Sequence, residues 1–386
     1  MAQTTSYRKS LGLLELVCLG VGGTIGSGIF VVPGIAARLT GVWSLLAWLI
    51  VAISASCVLL SLASVSARFT DSGGFYSLFE SVFGRKTALP LIVMYLVSSI
   101  FGISTIASGI GQYLGYFSIT RVLLIEIGII AGFCCINIIG IALSGTTENI
   151  LTFIKIIPLV LISLLLLPFI QPENLVPAVP LTASGLFATI IIVYWPFTGF
   201  EISAIPVEET KNPQLIKKSL IYVMAIVASV YLLLNIALIG SVGVSILAAS
   251  PAPIASAASQ IMTDAGAVVA CIGIVAMLSA INAYIVGTSR ILQNLSARFS
   301  IPRLRELGTQ GTPVFALIVG CGTAAGLLLF SNHFDLLASI SVITTLIPYL
   351  FFCIASWILV TDIRTRIVSA TGACSTLAIL VLYFLV

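Results

Sequence analysis

Two seven-residue stretches interrupt otherwise apolar runs: Gly22-Gly23-Thr24-Ile25-Gly26-Ser27-Gly28 and Trp195-Pro196-Phe197-Thr198-Gly199-Phe200-Glu201. The glycines of the first let the backbone leave helical geometry without a Cβ penalty. A helix restarting there begins with the N–H groups of Ser27, Gly28 and Ile29, and such an N-terminus offers unpaired donors and a partial positive charge. A carboxylate suits that position. In the second stretch Pro196 removes a donor and Gly199 permits a turn, freeing carbonyls that suit an ammonium group. Trp195, Phe197 and Phe200 add flat surfaces that could close over a bound molecule. Carboxylate capture at one break and ammonium capture at the other together describe the backbone of an amino acid. Blander readings stand beside these. Gly22 and Gly26 also have the G-x-x-x-G spacing of a helix-packing face, and Pro196 could simply kink a helix among packed aromatics. A dinucleotide loop is excluded, because no strand precedes the glycines.

The elements that hold these stretches are membrane spans. The 386 residues are 59% hydrophobic and 8% charged, with a mean hydropathy of +1.21, whereas soluble domains carry about 25% charged residues. The polar start, Met1 to Ser10, runs into an apolar stretch too long for a signal-peptide core, so a retained first span is expected. A span needs about 20 residues, and eleven are predicted, at about 11–34, 41–67, 88–117, 121–143, 147–170, 184–207, 218–243, 264–289, 312–331, 336–360 and 369–386. With the N-terminus in the cytoplasm, fourteen of the seventeen Lys and Arg fall inside, Arg38 and Arg121 fall outside, and Lys155 lies within a span. Cations concentrate in cytoplasmic loops, so this orientation in the cell's inner (cytoplasmic) membrane is expected, with the C-terminus outside. The chain reads as one transmembrane transport domain, 1–386. Repeat one covers about 11–170, repeat two about 184–360, and an extra helix about 369–386. Five spans per half invert the second half, and both halves open with an interrupted helix. Such paired breaks point to the midplane site of a secondary transporter.

Gly23-Thr24-Ile25-Gly26-Ser27-Gly28-Ile29-Phe30 with Pro33 resembles the first-helix signature of the amino acid–polyamine–organocation superfamily of transporters, amino acid permease type. Trp195 to Glu201, followed by Glu208-Glu209-Thr210-Lys211-Asn212-Pro213, resembles its sixth-helix signature, and Ser72-Gly73-Gly74 and Gly311-Thr312-Pro313 also fit. The resemblance implies an all-α polytopic fold with a leucine-transporter-like 5+5 inverted repeat, broken helices 1 and 6, and alternating access. It places the carboxylate site at the Ser27 and Gly28 backbone, within the break that includes Thr24, Ile25 and Gly26. It places the amine site at carbonyls near Thr24, Trp195 and Thr198, with Phe197 and Gly199 in the same segment. Most members have twelve spans; the span missing here lies outside the repeats.

Lys155 is the one cation within a span, and intramembrane charges are costly and usually functional. The alternative is snorkelling to the interface. In similar proton-coupled and exchanging family members a lysine here stands where sodium-coupled relatives bind a cation. The resemblance therefore brings Lys155 toward the first and eighth helices, as a group that loads and releases a proton. Glu201 follows the second break directly, as in similar basic amino-acid and polyamine exchangers; it is expected to sense protons or to hold the following half-helix. Glu15 is expected near the inner surface, at the interface or as part of an inner gate, and Glu126 has no assigned role. Ser279, Asn282, Tyr284, Thr288 and Ser289 form a polar stripe in the eighth span, and Ser98, Ser99, Ser104 and Thr105 another in the third. These line a pathway or bond neighbouring helices. Gly102 leaves room for a side chain. Trp195, Phe200, Gly102, Asn282 and Tyr284 are the expected gate and pathway residues.

The eight cysteines all lie in apolar segments, the single histidine is His333, and no metal spacing occurs. The expectation is a secondary active transporter, a proton-coupled symporter of a neutral amino acid. That no unpaired acid besides Glu201 is expected at the site favours a neutral over a cationic substrate. Amino acid exchange, or exchange of cationic amino acids or polyamines, uses the same parts. The expected partners are the amino acid, a proton and the bilayer, with no nucleic acid, cofactor or metal; oligomeric state leaves no sequence signal. A channel would need filter-like rings, an enzyme a nucleophile–base pair or metal cluster, and a pump an ATP loop. None is apparent in the sequence.

Overall fold

The computed structural model describes residues 11–66, 74–140, 145–201, 210–212, 214–299, 301–308 and 311–385. Ser72, Gly73, Glu208, Glu209 and Pro213 of the quoted motifs, and the cations Arg8, Lys9 and Arg68, lie outside them. The described residues form fifteen α-helices: α1 (Leu13–Thr24), α2 (Ser27–Thr40), α3 (Ser44–Ser66), α4 (Gly74–Phe83), α5 (Arg85–Tyr116), α6 (Val122–Ile139), α7 (Gly145–Leu166), α8 (Ala183–Tyr194), α9 (Gln214–Ala249), α10 (Pro253–Ile261), α11 (Ala265–Phe299), α12 (Pro302–Arg305), α13 (Val314–Phe330), α14 (Phe334–Leu359) and α15 (Ile363–Leu385). Eight apolar helical stretches are long enough to cross a bilayer, the first being Leu13–Ser66, 54 residues spanning α1, α2 and α3. Ala183–Phe197 and Val314–Phe330 are shorter apolar helices. Each of the eleven predicted spans has its helix here.

Lipid offers no partner for backbone polar groups, so each crossing must close its own hydrogen bonds. The two broken spans are the exceptions; α7, α9 and α11 surround α1 of the first. The longest contacts run between α5 and α14 and between α5 and α11. At 32 residues α5 measures about 48 Å, more than the roughly 30 Å hydrocarbon core, so it is long enough to span with tilt or to extend beyond the core. Small hydroxyls join α5 to α14: Ser341 Oγ donates to the Ser98 carbonyl at 2.8 Å, and Ser98 Oγ pairs with the hydroxyls of Ser341 and Thr345.

The eleventh helix, α15, docks by the same means. Serine pairs Ser54–Ser375, Ser61–Ser369, Ser64–Ser356 and Ser356–Ser369 tie α3, α14 and α15 together at 2.7–3.2 Å. Gly372 of α15 lies against Cys57 and Cys353; a Cβ there would stand 2.8 Å from Cys353 Sγ. Close approach through small residues and shared hydroxyls is how helices associate where apolar burial gives little drive.

Candidate functional site

The first break is narrower than its glycine content predicts. Gly22, Gly23 and Thr24 remain helical; only Ile25 (φ −77°, ψ 93°) and Gly26 (φ −136°, ψ −146°) leave the helix before α2 restarts at Ser27. The cause is local: Ile25 N–H still donates to the Val21 carbonyl at 2.8 Å, and Thr24 Oγ1 donates to the Gly20 carbonyl at 2.7 Å. Glycine permits unwinding without requiring it. A Cβ at Gly26 would stand 2.9 Å from Ala280 Cβ of α11, so close packing also explains this glycine.

At the second break α8 ends in a 3₁₀ turn, Trp195–Phe197. Thr198 is extended and Gly199 takes φ +94°, a left-handed conformation that favours glycine. The two breaks touch. A Cβ at Gly199 would lie 2.6 Å from the Gly23 carbonyl oxygen, and one at Gly28 would lie 2.5 Å from Pro196 Cα. Trp195 Nε1 donates to Ser27 Oγ at 3.2 Å, across the start of α2.

The expected free carbonyls are largely taken by the protein itself. The Trp195 carbonyl accepts from both Thr198 N–H (3.1 Å) and Thr198 Oγ1 (2.8 Å), which uses its two lone pairs. This corrects the expectation of a free acceptor there. The Thr24 carbonyl accepts from Tyr231 Oη of α9 at 3.2 Å, and the Gly22 carbonyl from Lys155 Nζ of α7 at 2.8 Å. Lys155 is fully buried, which rules out snorkelling, and α7 packs on both α1 and α11.

Glu201 is the hub of a second buried group. Its Oε1 accepts from Tyr95 Oη of α5 at 2.8 Å; its Oε2 accepts from Tyr349 Oη of α14 at 2.7 Å and from Gly199 N–H at 3.1 Å. Sequence reasoning missed both tyrosines. A tyrosine in an apolar span gives no periodic signal, and its partner is over a hundred residues away.

A cavity of about 20 Å³ opens beside this hub, room for on the order of one water. Thr198, Gly199 and Glu201 line it from the break, with Tyr95, Ser98 and Ser99 of α5, Tyr284 and Thr288 of α11, and Thr345 of α14. No residue of the first break lines it, which corrects the expectation of a pocket shared between the breaks. Of the predicted gate residues, Trp195 and Tyr284 meet with ring centroids 6.0 Å apart. Gly102 leaves room for these two: a Cβ there would stand 2.5 Å from Tyr284 and 3.3 Å from Trp195. Phe197, Phe200 and Asn282 face elsewhere. Phe197 packs on Trp48 and Tyr231, Phe200 on Tyr349, and Asn282 accepts from Asn137 Nδ2 of α6 at 2.7 Å.

Contacts at both ends hold these elements together. At one end Lys211 N–H donates to the Leu11 carbonyl at 3.0 Å, joining the start of α1 to the segment after the second break. Glu15 sits there too, its Oε2 accepting from Gly12 N–H at 2.9 Å. At the other end Arg38 of α2 pairs with Asp335 of α14 at 2.7 Å.

Two broken helices that touch at their breaks, the second beside a buried, hydroxyl-rich cavity, match the family signature described above. Residues 11–386 match the amino acid permease family. The chain belongs to that family. The permease is 27% identical over 357 residues to the inner membrane transport protein YbaT of Escherichia coli K12, covering 89% of this chain and 82% of YbaT. It is 27% identical over 375 residues to the serine/threonine exchanger SteT of Bacillus subtilis 168, covering 92% and 84%. Its fold resembles that of MhsT, solved in complex with L-phenylalanine, with a TM-score of 0.75 and 12% identity over 98% of this chain and 99% of that one. That likeness establishes the leucine-transporter-type fold. The permease is therefore a multi-pass amino acid transporter, not an enzyme.

Proposed function

We propose that the permease is a proton-coupled symporter of neutral amino acids, working by alternating access in the inner membrane with its N-terminus in the cytoplasm. Inverted repeats at about 11–170 and 184–360 would supply the two access states, with the helix at 369–386 outside them. The substrate carboxylate would take the N-terminus of α2 at Ser27 and Gly28, displacing the Trp195 indole from Ser27. The amino group would take the remaining acceptor capacity around Gly23, Thr24 and Thr198.

One observation carries the coupling: a fully buried lysine on α7 donates to the Gly22 carbonyl in the last turn of the broken helix. A charge there links protonation to the position of α1, since losing the proton weakens a charge-assisted bond. Amino acid exchange is the second reading, supported by likeness to a relative named as an exchanger. Exchange of cationic amino acids or polyamines has less support, because both oxygens of Glu201 already hold protein donors. Uptake into proteoliposomes separates these readings. Accumulation driven by an imposed pH gradient, without internal amino acid, supports symport. Uptake only against preloaded amino acid, indifferent to the gradient, overturns it in favour of exchange.

A further inference from the structure

The cavity beside Glu201 is lined with hydroxyls, and all but one of its serine and threonine hydroxyls are committed to protein partners. Ser98 Oγ pairs with Ser341 and Thr345, Ser99 Oγ donates to the Tyr95 carbonyl at 2.9 Å, Thr198 Oγ1 to the Trp195 carbonyl, and Thr345 Oγ1 to the Ser341 carbonyl at 2.8 Å. Thr288 is the exception. It is 1% exposed, it lines the cavity, and its Oγ1 has no hydrogen-bond partner among the described residues. A helical threonine ordinarily bonds its hydroxyl back to the preceding turn. Thr288 instead sets its methyl group toward α13, where a Cβ at Gly320 would stand 3.3 Å from Cγ2. One donor and two acceptor sites are thereby left uncommitted in a buried place.

We propose that this cavity receives the substrate's side chain and selects for one that ends in a hydroxyl, of serine or threonine size, with Thr288 as the residue that determines the choice. The proposal rests on the amino acid transporter reading and deepens it. Three observations set the class. An apolar side chain would bury the Thr288 hydroxyl without a partner, and sites built to bond a substrate hydroxyl reject analogues that lack it. A cationic side chain would find Glu201 already accepting from two tyrosine hydroxyls and a backbone N–H, three of its about four acceptor sites. An acidic one would meet the Glu201 carboxylate. The cavity has room for on the order of one water, the place a substrate hydroxyl would take.

The test is ligand-induced thermal stabilisation of the purified full chain, converted to affinities, for serine, threonine, alanine, valine, asparagine, leucine and lysine. Serine is expected to bind at least about tenfold tighter than alanine, and threonine likewise tighter than valine, the loss typical of a missing hydroxyl partner. Thr288→Val should collapse the serine-to-alanine ratio toward one, and Thr288→Ser should restore it. If Thr288→Val fails to fold, the wild-type ratios and Thr288→Ser still decide. Alanine, leucine or lysine binding as tightly as serine would overturn the selectivity and leave the transporter reading standing. A serine preference that survives Thr288→Val would overturn the assignment to this cavity. Stabilisation by none of the seven would overturn this selectivity and leave the family assignment standing.

Discussion

Lys155 Nζ lies 2.8 Å from the Gly22 carbonyl oxygen, so the fifth span holds the last turn of a helix that ends two residues later. That carbonyl belongs to the turn whose acceptors have no helical successor. A cation is the favoured neighbour at a helix C-terminus.

The first prediction follows from that bond. Lys155→Ala removes both the donor and the charge; Lys155→Gln removes the charge and keeps an N–H donor. Loss of a buried bond to a charged donor costs about 2 kcal/mol, so the alanine variant should unfold at lower temperature in detergent than the glutamine variant. Proton-driven accumulation should disappear in both, while exchange should survive in Lys155→Gln. The measurement is uptake against external pH in proteoliposomes. Unaltered proton dependence in Lys155→Ala would remove this residue from the coupling mechanism.

Arg38 and Asp335 join α2 to α14 on the face opposite Leu11, with side chains 57% and 50% exposed. An exposed pair of this kind contributes about 0–1 kcal/mol. Asp335→Asn should therefore leave the unfolding temperature nearly unchanged. If the pair restrains opening on that face, the variant should exchange substrate several-fold faster, and raised ionic strength should speed the wild type but not the variant. Equal rates at low salt would reduce the pair to a surface contact.

The legible part of this molecule is what the bilayer dictates. Length and apolarity placed a helix in each of the eleven predicted stretches but missed the short α4, α10 and α12, and the glycine-rich and Trp-Pro stretches marked where two of the spans break. Partners of the buried polar groups were not legible. Glu201 closes the second interrupted stretch in sequence, yet its side-chain partners are Tyr95 and Tyr349, which only the packing of α5 and α14 brings to it. The extent of unwinding was also hidden: Gly22 and Gly23 allow a break, but the Ile25–Val21 bond carries α1 past them. Trp195, expected as a gate, bonds Ser27 across the start of α2, whereas Phe197, equally aromatic and two residues on, packs against Trp48 and Tyr231. A 3₁₀ turn rotates neighbours by about 120°, and composition cannot tell which ring will point where.

Gly199 tests whether the breaks must touch. Its φ of +94°, and the Gly23 carbonyl oxygen 2.6 Å from where a Cβ would stand, both exclude a side chain. Gly199→Ala must strain its backbone or part the two segments, at a cost of about 1–3 kcal/mol. A lower unfolding temperature and loss of substrate stabilisation are expected together. Gly115→Ala, a helical position where an added Cβ meets nothing within 4 Å, should change neither. Wild-type binding by Gly199→Ala would show that the junction between the breaks is not the site.

The last prediction concerns Glu201, where three donors converge on one carboxylate. Glu201→Gln replaces an acceptor oxygen with an NH₂ group that faces a hydroxyl or an N–H. At least one bond must then be lost or reversed. Tyr95→Phe and Tyr349→Phe each remove one donor and leave the carboxylate the others. The order of destabilisation should therefore be Glu201→Gln above either phenylalanine variant, at about 1–3 kcal/mol. Because both hydroxyls serve one carboxylate, the two tyrosine variants should couple by about 0.5 kcal/mol or more in a double-mutant cycle. Thermal unfolding of the four purified proteins measures this. Strict additivity would mean that each tyrosine is held by its own packing, Tyr95 against Phe75 and Tyr349 against Phe200, and that the carboxylate is not the group joining α5, α14 and the broken helix.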